Sequence, residues 1–302
     1  MKAYTALEDL EQDLGFPAKT LYGLSNNLGK HYRNTFIPKH DGSKRKLSVP
    51  DTILKKVQRA ISDNILSHYT ISHYATAYTS GSSVQKNASL HVGKQKIVKL
   101  DIDGFFDHIT YSRVKDIVFG KENYSEPIRI LLTMLCYHKE SLPQGAPTSP
   151  AITNIIMCDF DEKIGKYCGE NNISYTRYCD DMTFSGDFDE KLVISFVKDE
   201  LRKLGLFLKS RKTAVVSKTK RQTVTGIVVN EKIGLTKDYK NKIRQEIYYI
   251  KKYGDGHLSK IGTQDKQYYL NSLKGRVAFV LQTVPNDEEF LRYKEILKNL
   301  PK

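Results

Sequence analysis

The sequence has little with which to staple itself together and nothing that would hold it in a bilayer. Its four cysteines, Cys136, Cys158, Cys168 and Cys179, occur without any C-x-x-C spacing. That pattern excludes a zinc ribbon and provides no disulfide framework, so unpaired thiols in a reducing compartment are expected. No apolar run approaches the length of a membrane span; "GRVAFVLQTV" is too short and carries a charge at its start. The first residues, "MKAYTALEDLEQDLGF", place acids where a secretory signal would be apolar. A soluble, cytoplasmic protein is expected, with no membrane partner. Internal repeats and low-complexity linkers are also missing. Acidic charge is in deficit: 34 Asp and Glu stand against 48 Lys and Arg, a formal net charge of +14. Such an excess favours a polyanionic partner, nucleic acid before an anionic membrane. At 302 residues and 39% hydrophobic content, the chain can build two or three subdomains around one cleft.

What is present reads as helix, then mixed structure, then helix. Residues 1–92 are largely helical, interrupted by "FIPKHDGSKRKLSVP", where Asp41-Gly42 marks the turn of a hairpin. "DTILKKVQRAISDNILSHY" follows as a helix, with Ile53, Leu54, Val57, Ile61 and Ile65 near 3.6-residue spacing. In "QKIVKLDIDGFF", Val98, Leu100 and Ile102 alternate with Lys99 and Asp101, the pattern of a strand. "TSPAITNIIMCDFDEKIGKY" predicts one helix, capped by Ser149 with Pro150 in its first position. "ISYTRYCDDMTFSG" reads as strand, tight turn, strand, and "EKLVISFVKDELRKLGL" as a helix ending near Gly205. Beyond residue 230 the chain turns helical again, with Tyr239, Ile243, Ile247 and Ile250 as the inward stripe of one segment. The sum is an α+β centre of residues 93–230 between two mostly helical, basic flanks.

Three segments carry chemistry. Asp180 and Asp181 sit side by side at a hairpin tip, where like charges repel. A solvated turn accommodates such a pair, because Asp favours turns; so does a hard-cation site, in which Mg²⁺ bridges clustered carboxylates. Two metals roughly 4 Å apart would serve an in-line phosphoryl transfer. A further carboxylate is then needed from another strand, and Asp101, Asp103 and Asp107 all qualify by spacing. The third segment, "LPQGAPTSPAITN", feeds a rigid Gln144-Gly145-Ala146-Pro147 turn into a helix start, and its glycine would let a base pair and sugar approach the backbone.

Taken together and in this order, "KLDIDGFFDHI", "LPQGAPTSPAITN" and "YCDD" resemble the successive palm motifs of reverse transcriptases. The resemblance covers most of the chain: "KRKLSVPDTILKKVQRAI" looks like the fingers segment and "GLFLKSRKTAVV" like a later palm segment. It implies a right-hand polymerase, with residues 1–92 as N-terminal helices and fingers, 93–230 as palm (fingers inserted at about 112–141) and 231–302 as a helical thumb. Asp101, Asp180 and Asp181 become the expected catalytic metal ligands, holding two Mg²⁺, with Mn²⁺ as a substitute. Arg45, Lys46 and the neighbouring Lys44 are expected to hold the triphosphate of a dNTP, and Gln144 and Gly145 to line the nucleotide pocket. Phe105, in preference to Phe106, is expected under the sugar as a steric gate. Lys212 is a candidate acid for the leaving group. Cys179 departs from the alanine more common in the family, with altered turn packing as the expected consequence.

Two further segments resemble retron reverse transcriptases. "NASLH" supplies Asn87 and His91, and "VTG" supplies Val224, Thr225 and Gly226. With Lys240, Arg244, Lys251 and Lys252 of the last helices, these are the expected RNA contacts. The branch implies a cognate structured non-coding RNA, priming from a guanosine 2′-OH, a branched RNA–DNA product, and a role in anti-phage defence beside a separate effector protein. Alternatives are a group II intron-type enzyme, disfavoured because the sequence stops soon after the thumb, an RNA-dependent RNA polymerase, disfavoured by the phenylalanine pair, and a non-catalytic RNA-binding module.

Overall fold

Helices α1 (Leu7–Leu14) and α2 (Ala18–Asn26) lead into an antiparallel hairpin of β1 (Tyr32–Pro38) and β2 (Lys44–Pro50), in which Arg33 lies opposite Val49 and Phe36 opposite Lys46. The computed structural model describes residues 2–38, 42, 44–254 and 263–300. The hairpin is therefore as the alternation predicts, while Asp41 of its expected turn lies outside the described residues. Helix α3 (Thr52–Asn64) starts where the Asp51 carboxylate accepts the Leu54 N–H, which satisfies one of the amides left over at a helix start. Leu54, Val57 and Ile61 point inward, but Ile53 is 37% exposed; the inward stripe begins one residue later than its spacing suggests.

The chain continues through α4 (Val84–Ser89), β3 (Lys96–Asp101), the short α5 (Tyr111–Arg113) with a π-helical turn over Val114–Val118, and α6 (Glu126–Cys136). The single helix expected after Gln144 is two: α7 (Ser149–Ile156) and α8 (Cys158–Glu170), separated at Met157, where ψ is −1°. Ser149 is the first residue of α7 and not its cap; its hydroxyl donates to the Pro143 carbonyl (2.9 Å), and Thr148 takes the preceding position. Strands β4 (Ser174–Tyr178) and β5 (Asp181–Gly186) form the expected hairpin, followed by α9 (Glu190–Lys203), β6 (Ala214–Ser217) and the small pair β7 (Thr223–Val224) and β8 (Ile227–Val228). The main sheet has the order β4-β5-β3-β6. Three helices finish the fold: α10 (Lys237–Tyr253), α11 (Thr263–Thr283) and α12 (Glu288–Lys298).

Two units result. The first comprises Met1–Gly81, Val98–Phe184 and Phe188–Ala214; the second comprises Ser82–Ile97, Ser185–Asp187 and Val215–Lys302. A large core that includes Leu10, Leu54, Ile61, Leu100, Phe119, Ile152, Phe184 and Leu201 fills the first. In the second, Ile243, Ile247 and Ile250 of α10 pack with Leu273, Val277 and Val280 of α11 and Phe290 of α12. Each such side chain contributes about 1.5–3 kcal/mol when taken fully from water. A smaller cluster of Ala88, Ile97, Val224, Ile227 and Val229 ties α4 to the β7–β8 pair. All four cysteines are free; Cys136, Cys168 and Cys179 are buried and Cys158 is half-buried. No helix among the described residues is long and apolar enough to cross a membrane.

Candidate active site

Strand β3 delivers Asp101 at its end, and the β4–β5 turn delivers Asp180 and Asp181 beside it. Backbone bonds fix the arrangement: the Ile102 amide donates to the Asp180 carbonyl (3.0 Å), and the Lys209 amide to the Asp101 carbonyl (2.8 Å). The turn itself is held from within. Cys179 adopts a left-handed backbone (φ +61°), uncommon for a residue with a Cβ. Arg177 Nη1 donates to the Cys179 carbonyl (2.9 Å), and the Tyr78 hydroxyl donates to the Cys179 Sγ (3.6 Å). The Arg177 guanidinium is sealed from solvent and gripped by Asp161 through Nε (2.9 Å) and Nη2 (2.6 Å), with Tyr175 donating to Asp161 (2.8 Å) and Asn154 accepting from Nη1 (3.2 Å). A buried ion pair offsets its desolvation only when its polar atoms are this fully matched.

The three aspartates open into a cleft of about 730 Å³, which Lys44, Arg45 and Lys46 of β2 also line. Loss of hydration, then the charges of Asp180 and Asp101, push the Asp181 carboxyl up to about 6. Lys212 sets its ammonium directly on Asp101; burial opposes its charge, but the Asp101 hydrogen bond and charge outweigh this and raise its pKa. Asp103 is engaged by Lys209 (3.1 Å), and Asp107 is exposed, so Asp101 is the carboxylate that shares its surroundings with the pair. Among the described residues, no three Asp, Glu, His or Cys side chains are closed into a metal cage. The donor set is nonetheless all carboxylate oxygen, crowded enough to raise one acid and already neutralised at Asp101 by a lysine. Those features fit a hard divalent cation.

The other expected residues divide. Phe105 and Phe106 both line the cleft; Phe106 is half-buried and Phe105 only 3% exposed, so Phe106 presents the more accessible ring. Gln144 lines the cleft, and its carbonyl accepts the Ser48 amide of β2 (2.8 Å). Gly145 does not: its φ is +123°, and a Cβ there would lie 2.8 Å from the Ser48 carbonyl, so the glycine accommodates β2. Asn87, His91 and Val224 are buried, unlike surface RNA contacts. Asn87 donates to the Thr225 hydroxyl (3.4 Å), which donates to the Val84 carbonyl (3.3 Å), and His91 bonds Ser185 (2.6 Å). Burial drives the His91 pKa down to about 4, keeping the ring neutral. Of the helical cations, Lys240 pairs with Asp287 (2.6 Å) and Arg244 with Glu289 (2.7 Å), while Lys251 and Lys252 stay exposed.

The sequence reading missed Tyr78, Lys209 and the Arg177–Asp161 network. Arg177 carries a signal, since it shares its strand face with Tyr175, an inward position where a charge requires a partner.

This geometry has relatives. The reverse transcriptase (RNA-dependent DNA polymerase) family matches residues 37–229. The chain is 31% identical to the retron Ec83 reverse transcriptase of Escherichia coli over 287 residues, 90% of this chain and 89% of the relative. It is 31% identical to the retron Ec86 reverse transcriptase of the same species over 249 residues, 81% and 78% of the two chains. Among solved structures, telomerase from Candida albicans in complex with a TWJ fragment of telomeric RNA superposes with a TM-score of 0.50 at 13% identity, covering 95% of this chain and 59% of that one. A shared right-hand polymerase fold accounts for the similarity. With its carboxylates gathered at one cleft and its relatives retron enzymes along most of their length, the chain belongs to the reverse transcriptases of retron type, which are RNA-directed DNA polymerases.

Proposed function

We propose that Asp101, Asp180 and Asp181 hold the divalent metal of nucleotidyl transfer, Mg²⁺ with Mn²⁺ as a substitute, and that the chain copies part of a cognate structured non-coding RNA into DNA. The carrying observation is the meeting of these carboxylates with Lys44, Arg45 and Lys46 across one cleft. A bound metal supplies Lewis-acid activation of the primer hydroxyl and charge stabilisation of the departing pyrophosphate. The chain does the rest. The β2 cations bind the triphosphate, and Gln144 fixes β2 against the cleft through its carbonyl. Arg177 holds the turn so that Asp180 and Asp181 are preorganised. Lys212, held protonated by Asp101, is placed as a proton donor to the leaving group. Phe106 closes the floor against a 2′-OH; Phe106→Val is expected to admit ribonucleotides at least tenfold better, and unchanged discrimination would return the gate to Phe105.

N-terminal helices with fingers, palm (with part of the fingers inserted at about 112–141) and helical thumb then correspond to residues 1–92, 93–230 and 231–302. Asn87, His91, Val224, Thr225 and Gly226 act on RNA by holding α4 and the β7–β8 pair in one shape, while Lys251 and Lys252 meet phosphates directly. Priming from a guanosine 2′-OH, a branched RNA–DNA product and anti-phage defence with a separate effector complete the reading. Its test is the nucleic acid that copurifies with the protein. A discrete DNA whose mobility shifts on 2′,5′ debranching is the expected result; RNA alone, with no primer extension from it, would overturn the retron reading.

A further inference from the structure

Four aromatic side chains line the cleft of the aspartates, Tyr78, Phe105, Phe106 and Tyr178, and of these only Tyr78 is exposed, at 57%. Two of its features oppose folding. Its backbone is left-handed (φ +60°), a conformation that a residue with a Cβ rarely adopts, and its large ring stands in solvent. Residues that their surroundings hold in such a conformation gather at functional sites. The holding contacts are explicit here. The chain before Tyr78 runs beside β4: the Arg177 amide donates to the Tyr74 carbonyl (2.8 Å), and the Thr76 amide to the Arg177 carbonyl (2.8 Å). Asn154 Nδ2 donates to the Ala77 carbonyl (2.9 Å), and the Thr79 hydroxyl to the Ala75 carbonyl (2.9 Å). At the far end of the ring, the Tyr78 hydroxyl rests on Cys179 Sγ. Arg177 Nη1 donates to both Asn154 and Cys179. One buried guanidinium therefore fixes the turn of the aspartates and, through Asn154, the tyrosine beside it.

A ring tethered at its tip and pinned through its backbone offers a flat apolar face with little entropy left to lose. What meets that face follows from the chemistry of the cleft. The primer end must reach the metal held by Asp180 and Asp181, and the tether of Tyr78 is the residue next to Asp180. Every base has a π-face, so an aromatic contact is indifferent to sequence; what it registers is where the base pair sits. We propose that the Tyr78 ring is the wall against which the last base pair of the RNA–DNA duplex packs, so that Tyr78 discriminates paired from mispaired primer ends. A mismatched end shifts off the ring and, because ring and aspartates share one rigid support, off the metal ligands as well. The inference rests on the polymerase reading of the cleft and adds to it a residue that sets the accuracy of copying.

The test has the full-length protein extend a DNA primer annealed to an RNA template in Mg²⁺, with the last base pair either matched or mismatched. Tyr78→Ala is expected to lower the matched-to-mismatched ratio of kcat/KM about tenfold, the scale of one lost base–aromatic contact. The KM for the incoming dNTP should change less than about twofold, and the denaturation midpoint should hold or rise. Tyr78→Phe and Cys179→Ala each keep the ring and remove its tether, so a loss of about threefold in the ratio is expected from each. The double variant should lose no more than either single one, because both remove the same bond. Should Tyr78→Ala melt early, the cycle of Tyr78→Phe and Cys179→Ala reads the same contrast. An unchanged ratio in Tyr78→Ala, or matched and mismatched extension slowed equally, would overturn the proposal and assign the ring to the scaffold. So would a rise in the dNTP KM as large as the fall in the ratio, which would place the ring at the incoming nucleotide. A wild-type protein that extends neither primer would overturn it together with the polymerase reading.

Discussion

The carboxylates of the active-site cleft and those of the last three helices are the same chemical groups in opposite circumstances. Across α10, α11 and α12, Asp287 meets Lys240, Glu289 meets Arg244, and Glu246 meets Arg276. The Arg244 hydrogen bonds outweigh burial and pull the Glu289 carboxyl down to about 2. In the cleft, burial and neighbouring acids push Asp181 the other way, to about 6. One region uses charge pairs to pin helices together. The other keeps like charges close, which opposes folding and leaves a standing affinity for cations. A stabilising site and a functional site can thus be told apart by the direction in which their acids shift.

Mutations can sharpen this contrast, beginning with the cleft. Asp180→Asn removes a charge at nearly constant volume. Primer extension on an RNA template should fall at least about a thousandfold, on the scale of lost electrostatic groups, while RNA binding persists and the melting temperature holds or rises. A variant that extends normally, or one that melts early, would break the distinction. Arg177→Met leaves Asp161 buried without its cation, and a cost of about 3–5 kcal/mol is expected on chemical denaturation. Here stability and extension should fall together, because the same guanidinium holds the Cys179 carbonyl. If extension dropped with no loss of stability, Arg177 would belong with the cleft and not with the scaffold.

The helical unit should respond least. Glu289→Gln is expected to cost about 1 kcal/mol, the scale of a partly exposed pair, without changing the rate of extension at saturating template. Its pH signature has a definite sign. Glu289 is depressed from 4.5 to about 2 on folding, so its stabilisation is complete above pH 4.5 and fades as pH falls toward 2. The variant should lose less stability than wild type across that acid window in thermal melts, and parallel curves would show that Arg244 and Glu289 are not coupled.

Sequence pattern exposed the cleft more readily than its supports. The β4–β5 tip was legible because period-two alternation flanks an acid pair, and three segments in fixed order leave few other folds. Arg177 was not, because an arginine reads as solvated until the strand is seen to turn it inward toward Asp161, sixteen residues earlier. The Asn87-to-His91 segment is expected at RNA only through its resemblance to retron enzymes; its partners, Thr225 and Ser185, are distant in sequence, so its burial is not visible along the chain. The ion pairs of Lys240 and Arg244 are equally hidden, since their acids are Asp287, which caps α12, and Glu289 in its first turn. The glycine after Gln144 does give room for a close approach, as its residue type implies, but the group that approaches is the backbone of β2.

The cysteine arrangement bears on how the protein can be labelled. Burial pushes the thiols of Cys136, Cys168 and Cys179 up to about 12, which leaves almost no thiolate for an alkylating dye at neutral pH. Cys158, at the start of α8, is the exception in being only half-buried, although burial and the nearby Glu162, Asp159 and Asp161 raise its thiol as well. A maleimide fluorophore on the native protein should therefore settle on one helix of the polymerase unit. The wild-type chain comes with a single-site reporter position, and following RNA or nucleotide binding by fluorescence requires no cysteine-free background.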